Sequence, residues 1–264
     1  MVQRGMPPRL RPGSLPDRLG GALEAVVISD RWVSDRRGLV ADAGEGWQEG
    51  LLHVARACDR GDALLPQQWK THFQTLPDTA AVLLNALPYL WLQADAYGHH
   101  SAVVAGWAAD LGQSPATVRA CEDLFSLVCQ EMKTAGLGSA NLSSLAWPRT
   151  TNSDDTPLGA ALRLVAQSQG EFAVVLGAAC QRGWAATEVA LSGLVVGLTR
   201  GRVGIGACLR QRWLLDYAGA GQDGWRGLEA DGLAAIATDL HYRWAGGTLS
   251  DRLEWPPFPL GIRV

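Results

Sequence analysis

The sequence predicts an all-α protein, a single orthogonal bundle of many helices. Ala and Leu are abundant while Ile is sparse and Tyr numbers only 4 in 264 residues, a balance that favours helix over sheet. Apolar residues recur at three- and four-residue spacing between residues that start and stop helices. No stretch keeps strand alternation: AVVIS (25–29) and FAVVLG (172–177) come nearest, and both sit inside helical patterns.

Taken in order, the first helix is expected to be capped by Asp17 and to run through DRLGGALEAVVISDRW, with Leu19, Leu23, Val26 and Val27 on one face. The polar, Gly-containing SDRRGLVADAGEG reads as a loop. WQEGLLHVARACDR is a helix that Gly61 stops, and Pro66 opens a short one, PQQWKTHFQ. DTAAVLLNALPYLWLQAD is an apolar helix expected to be interrupted or kinked at Pro88, which lacks the N–H donor. SAVVAGWAADLG follows, and then Ser114 and Pro115 supply the cap and first turn of PATVRACEDLFSLVCQEMKTAG.

The segment from Leu137 to Asp155, rich in Ser, Thr, Asn and Gly, reads as a loop. Three helices come after it, in DTPLGAALRLVAQSQG, EFAVVLGAACQRG and TEVALSGLVVGLTRG, and another lies within GLEADGLAAIATDLHYRW. The prolines of EWPPFPLGIRV bar a helix there, and residues 1–16 read as a disordered tail. Residues 17–264 are therefore read as one domain, since neither side of the 137–155 loop looks self-sufficient.

Composition narrows the function classes. With a formal charge of -3 and a pI near 5.9, no basic surplus points to nucleic acid or an anionic membrane. No uninterrupted apolar run reaches bilayer length. The five cysteines are an odd number without a CxxC pair, which fits packed thiols in a reducing cytoplasm rather than a zinc site. The Arg- and Pro-containing start has no apolar core of a secretory signal.

Three segments resemble one known family. The GAL followed by an acid in DRLGGALEAVVISDRW is similar to the opening R-x-x-G-A-L-x-G-x-A-x-G-D-A-x-G of the ADP-ribosylglycohydrolases. LLNALPYLWL resembles that family's R-x-x-P-L-x-L helix. The stretch Gln167–Trp213 resembles its closing pattern, in which a helix ends in G-G-D-x-D-T before apolar turns separated by Gly and a final P-x-x-W. The resemblance implies an all-α fold. It also implies a site where paired Mg²⁺ or Mn²⁺ ions, held by T-D-D and D-x-D-T acids, help remove ADP-ribose. Hard dications require several carboxylate oxygens, and two of them can hold ribose hydroxyls and a water together.

This chain departs from that pattern where the chemistry lies. Its closing motif reads Gly183-Trp184-Ala185-Ala186-Thr187, so Trp184 and Ala186 stand where the two Asp would be and only Thr187 is kept. Asp30 matches the Asp of the opening G-D, with Ser29 for the Gly, and Glu45 falls near the T-D-D position. Asp30 and Glu45 are thus the candidate catalytic acids, and Trp184, Ala186 and Thr187 the candidate floor of a former metal cleft. Neither indole nor methyl ligates a metal, so no metal or other cofactor is expected. The implied protein is an inactive binding or regulatory one, whose partner is an ADP-ribose-like nucleotide or another protein. Two alternatives stay open. One is an active hydrolase that uses Mg²⁺ or Mn²⁺, or acid–base catalysis, with Asp30, Glu45, Asp154 and Asp155. The other is a helical subunit of a larger assembly.

Other features read plainly. Ser153-Asp154-Asp155-Thr156 imitates T-D-D-T, yet it precedes a late helix, and Asp155 or Thr156 reads as the cap, with Pro157 opening the turn. His99 and His100 are adjacent and point apart on a helix, unlike zinc ligands at i, i+4. Gly201-Arg202-Val203-Gly204-Ile205-Gly206 lacks the strand and Lys of a phosphate loop and reads as a turn between helices. The 11 Trp are expected to be core or half-buried fillers, with a few available to a partner surface.

Overall fold

Every regular element of the computed structural model is helical among the residues it describes, which are 13–37, 46–94, 101–135, 156–217, 224–225 and 230–247. Helix α1 (Leu15–Arg37) starts two residues before Asp17. Asp17 lies inside its first turn, where Oδ2 accepts the Gly13 N–H at 2.9 Å, so it ties down the entering chain. The helix also extends past Trp32 to Arg37, which makes the first part of the expected loop helical. Buried Val33 gives that extra turn an apolar contact.

Cap and stop residues set most of the next boundaries. Helix α2 (Trp47–Arg60) ends at Gly61, whose φ of 78° suits a residue without a side chain. Helix α3 (Pro66–Gln74) opens on its proline. Helix α4 (Thr79–Gln93) is capped by Asp78, whose Oδ1 accepts the Ala81 N–H at 2.8 Å. It continues through Pro88 instead of breaking there. Leu87, Pro88 and Leu90 are buried, and their packing offsets the missing backbone donor.

Helix α5 (Ser101–Asp110) leads to α6 (Pro115–Thr134), where Ser114 Oγ accepts the Thr117 N–H at 3.1 Å. Helix α7 (Pro157–Gln167) is capped by Thr156, whose Oγ1 accepts the Gly159 N–H at 3.1 Å, and Pro157 occupies the first turn as expected. Helices α8 (Phe172–Gln181) and α9 (Ala186–Arg200) pack on each other across a short turn. The glycine-rich turn that follows is a 3₁₀ turn, Arg202–Ile205. Short α10 (Ala207–Arg210) runs directly into a π turn, Gln211–Leu215. Helix α11 (Ala230–Trp244) is the last described element, and its indole Nε1 at Trp244 donates to the Ala94 carbonyl at 2.5 Å.

Helix α1 is the centre of the bundle. It packs on α9 along its length, on α11, and on the 202–215 segment, while α4 bridges α2, α6, α9 and α11. The α1–α9 contact is close because small residues face each other. A Cβ at Gly197 would lie 2.5 Å from Ala22 Cα, and one at Gly193 would lie 2.9 Å from the Ala25 carbonyl oxygen. Two helices with larger residues at these positions would be pushed apart.

Because most of α1 is surrounded, several of its charged residues are buried with it, and Arg18, Glu24, Asp30 and Arg31 have distant partners. Glu24 is fully buried and accepts from two arginines of the later segment: Arg202, through Nε at 2.7 Å, and Arg210, through Nε at 2.6 Å. Arg18 reaches the end of α6, donating to the Glu131 carboxylate, the Glu131 carbonyl at 2.9 Å and Thr134 Oγ1 at 2.9 Å. Buried charges persist only when paired and hydrogen-bonded, and these pairs join α1 to both flanks of the molecule.

Candidate functional site

Asp30 lies on the buried surface of α1, facing the start of α2 and the Gly224–Trp225 segment. Its Oδ2 accepts the Trp225 indole N–H at 2.8 Å, and the Gln48 amide approaches the same oxygen at 3.4 Å. Trp225 is almost completely buried. Its ring meets Trp47 edge-on, with centroids 5.5 Å apart at 84°. An indole N–H removed from water needs an acceptor, and Asp30 is that acceptor. Beside it, Ser29 Oγ donates back to the Ala25 carbonyl at 2.7 Å and faces the bare Gly193 of α9.

Arg31, next along, is also buried. It donates to the Trp213 carbonyl at 2.7 Å and lies 4.7 Å from the centre of the Tyr217 ring.

The residues matching the closing motif lie at the α8–α9 turn. Trp184 is half-buried, with the Arg182 guanidinium 5.8 Å from its ring centre. Ala186 is the first residue of α9. Ala185, which precedes it, has no side-chain acceptor for the helix, but Glu188 Oε2 accepts the Ala185 N–H at 2.8 Å and supplies half of a capping box. Thr187 is buried and donates through Oγ1 to Asp78 Oδ2 at 2.6 Å. The two oxygens of Asp78 therefore serve two helices, capping α4 with one and fixing the first turn of α9 with the other.

The antiparallel α1–α9 register brings Asp30 and Thr187 to the same end of that pair. Gly193 faces Ala25 and Ser29, and Gly197 faces Gly21 and Ala22. Thr187 then falls about three residues beyond the level of Asp30, roughly 5 Å along the axis at helical rise. Their partners differ, however: Asp30 holds Trp225 near α2, and Thr187 holds the α4 cap. Glu45 lies outside the described residues, as do Asp154, Asp155, His99 and His100.

Asp78 and Trp225 were not among the predicted site residues. The cap signal of Asp78 before an apolar helix was readable, but its second role toward Thr187 links positions 109 apart in sequence. An acid among apolar neighbours in α1, such as Glu24, was the available sign of a buried charge network.

The electrostatics of the described residues follow burial. The Glu131 carboxyl is pushed up to about 7 by desolvation, which exceeds the downward pull of Arg18 and the Thr134 hydroxyl. Asp17 is likewise raised by burial, against the Gly13 N–H and the Arg202 charge. Burial pushes the Cys58 and Cys121 thiols up to about 12. Cys58, Cys121 and Cys129 are buried, and Cys208 is exposed. Among the described residues no three His, Cys, Asp or Glu side chains gather into a metal-binding group, and no helix is long and apolar enough to cross a membrane. The carboxylates nearest the resemblance, Asp30 and Asp78, accept hydrogen bonds that position a Trp and two helix starts.

Compared with known protein families, characterised proteins and solved structures, the chain matches none.

Proposed function

We propose that this chain is a non-catalytic, helical binding or regulatory protein. Its frame resembles that of the ADP-ribosylglycohydrolases, with the metal-holding positions turned to structural use. The observation that carries this reading is the Asp30–Trp225 hydrogen bond, in which the one candidate acid among the described residues supports a buried indole. Trp184 and Ala186 support it further, since they offer no oxygen where a dication would need one. In this reading the ligand is an ADP-ribose-like nucleotide or a protein partner, no metal or cofactor takes part, and the protein works in the cytoplasm with its thiols reduced.

Thermal unfolding tests it. A ligand that binds only the folded state raises Tm, and at a hundredfold excess over Kd the gain is about 2.7 kcal/mol, or roughly 5–10 °C for a chain of this size. ADP-ribose is expected to raise Tm on that scale, while Mg²⁺ or Mn²⁺ leaves it unchanged with or without the nucleotide. Metal-dependent stabilisation, together with release of ADP-ribose from a modified protein that Asp30→Ala abolishes, would replace this reading with that of an active hydrolase. Absence of any ADP-ribose effect would remove the nucleotide and leave the protein partner.

A further inference from the structure

Helix α8 has no charged residue between Phe172 and Gln181. Its inner side, with Phe172, Val175, Leu176 and Ala179, is buried against the bundle. Its outer side is also apolar: Ala173 and Val174 are exposed, Gly177 and Ala178 are half-exposed, and only Gln181 is polar. Val174 retains 54% of its surface. At 3.6 residues per turn these five positions fall within an arc of about 140°, wide enough for a second helix to lie against. A Cβ built on Gly177 would find nothing within 4 Å, so the middle of this face is open.

Opposite charges bound the face. Glu171 precedes the helix and Arg182 follows it, and both are exposed. Arg182 donates to Gln167 Oε1 at 3.0 Å and lies beside the Trp184 ring. Among the described residues neither Glu171 nor Arg182 has an ion-pair partner. Continuing the α8 spiral by one residue at each end puts the two positions at the same edge of the apolar arc, about 20° apart, and they are separated by about 16 Å along the axis. The midpoint between them falls at Leu176 and Gly177.

That arrangement is self-complementary. A two-fold axis that sets α8 antiparallel to a second α8 keeps each edge on its own side and reverses the axial order. Glu171 then meets Arg182 of the other copy, and Arg182 meets Glu171, so both pairs form at once. The crossing falls at Gly177, where a bare backbone permits the close interaxial distances of small-residue contacts. We propose that the α8 face is the contact between two copies of this chain, an isologous antiparallel helix pair. The inference stands independently of the proposed function.

Sedimentation equilibrium of the full chain, from low micromolar to about 100 µM, tests it. The expected mass is twice the 28.2 kDa chain mass. Val174→Glu places a carboxylate in the apolar contact and is expected to give a monomer that keeps the wild-type helical signal. Each of Glu171→Arg and Arg182→Glu converts two attractions into two repulsions and should weaken the dimer at least about tenfold. The double variant E171R/R182E restores opposite charges and should recover most of the loss. Val103→Glu, on the exposed face of α5, is the control and leaves the mass unchanged. A wild-type monomer throughout the range would overturn the proposal, as would a dimer indifferent to Val174→Glu or dissociated by Val103→Glu. Single and double charge variants of equal affinity would overturn the pairing geometry on which it rests.

Discussion

Asp30, a candidate catalytic acid in the sequence, holds a structural hydrogen bond in the fold. Its carboxylate accepts an indole N–H that has no access to water. Removing it with Asp30→Ala leaves Trp225 unsatisfied and is expected to cost about 1–3 kcal/mol in urea unfolding, whereas Asp30→Asn keeps an acceptor oxygen and should cost less than half of that. An equal loss in the two variants would assign the role to charge instead of hydrogen bonding. Glu131 carries a pH dependence of definite sign. Its carboxyl titrates near 7 when folded against the usual 4.5, so the folded state holds the proton more tightly. The stability this gives is fully present below about pH 4.5 and is lost as pH rises through about 7. Glu131→Gln, which stays neutral, should therefore gain on the wild type as pH is raised from 5 to 8 in parallel thermal melts; a constant difference would contradict the shift. None of these partners could be read locally. Arg18 to Glu131 spans 113 residues, Glu24 to Arg202 spans 178 and Asp30 to Trp225 spans 195.

Among the elements, helix boundaries were the most legible feature, because caps act over three or four residues. Ser114, Thr156, Pro66 and Gly61 all serve the ends their sequence context assigned them. The differences arise where tertiary packing overrides a local signal. Helix α1 extends past its expected stop because Val33 finds a buried site, and α4 stays one helix across Pro88, where Leu87, Pro88 and Leu90 are buried. Glycines in helices show the same contrast between local cost and packing. Gly197 of α9 faces the α1 backbone, and Gly197→Ala should destabilise by roughly 1–3 kcal/mol through overpacking. Gly106 of α5 has nothing within 4 Å of a built Cβ, so Gly106→Ala should stabilise by about 0.5–1 kcal/mol through helix propensity alone. Chemical denaturation of the two variants measures opposite signs for one substitution, and a shared sign would refute the packing contrast.

For the molecule as a whole, the central position of α1 decides how it unfolds. Withdrawing that helix breaks the α9 contact, the Arg18–Glu131 tie to α6, the Glu24 tie to the 202–210 segment and the Asp30 support of Trp225 together. Unfolding is therefore expected to be one cooperative transition, with far-UV dichroism and indole emission coinciding; separated midpoints would show that α1 is not the common support. The all-α class was legible because helical periodicity repeats in nearly every segment. The interior of α1 was not, since a helix enclosed on every side mixes acids, arginines and aliphatics with no polar face to mark its orientation. Enclosure also orders the reactivity of the thiols. With Cys58 and Cys121 titrating near 12, only about one in 10⁵ of either is thiolate at neutral pH, while Cys208 faces solvent. A maleimide dye should therefore attach first at Cys208 of the native protein, without any cysteine having to be removed. Energy transfer between dyes placed there would report how far apart two copies stand in solution.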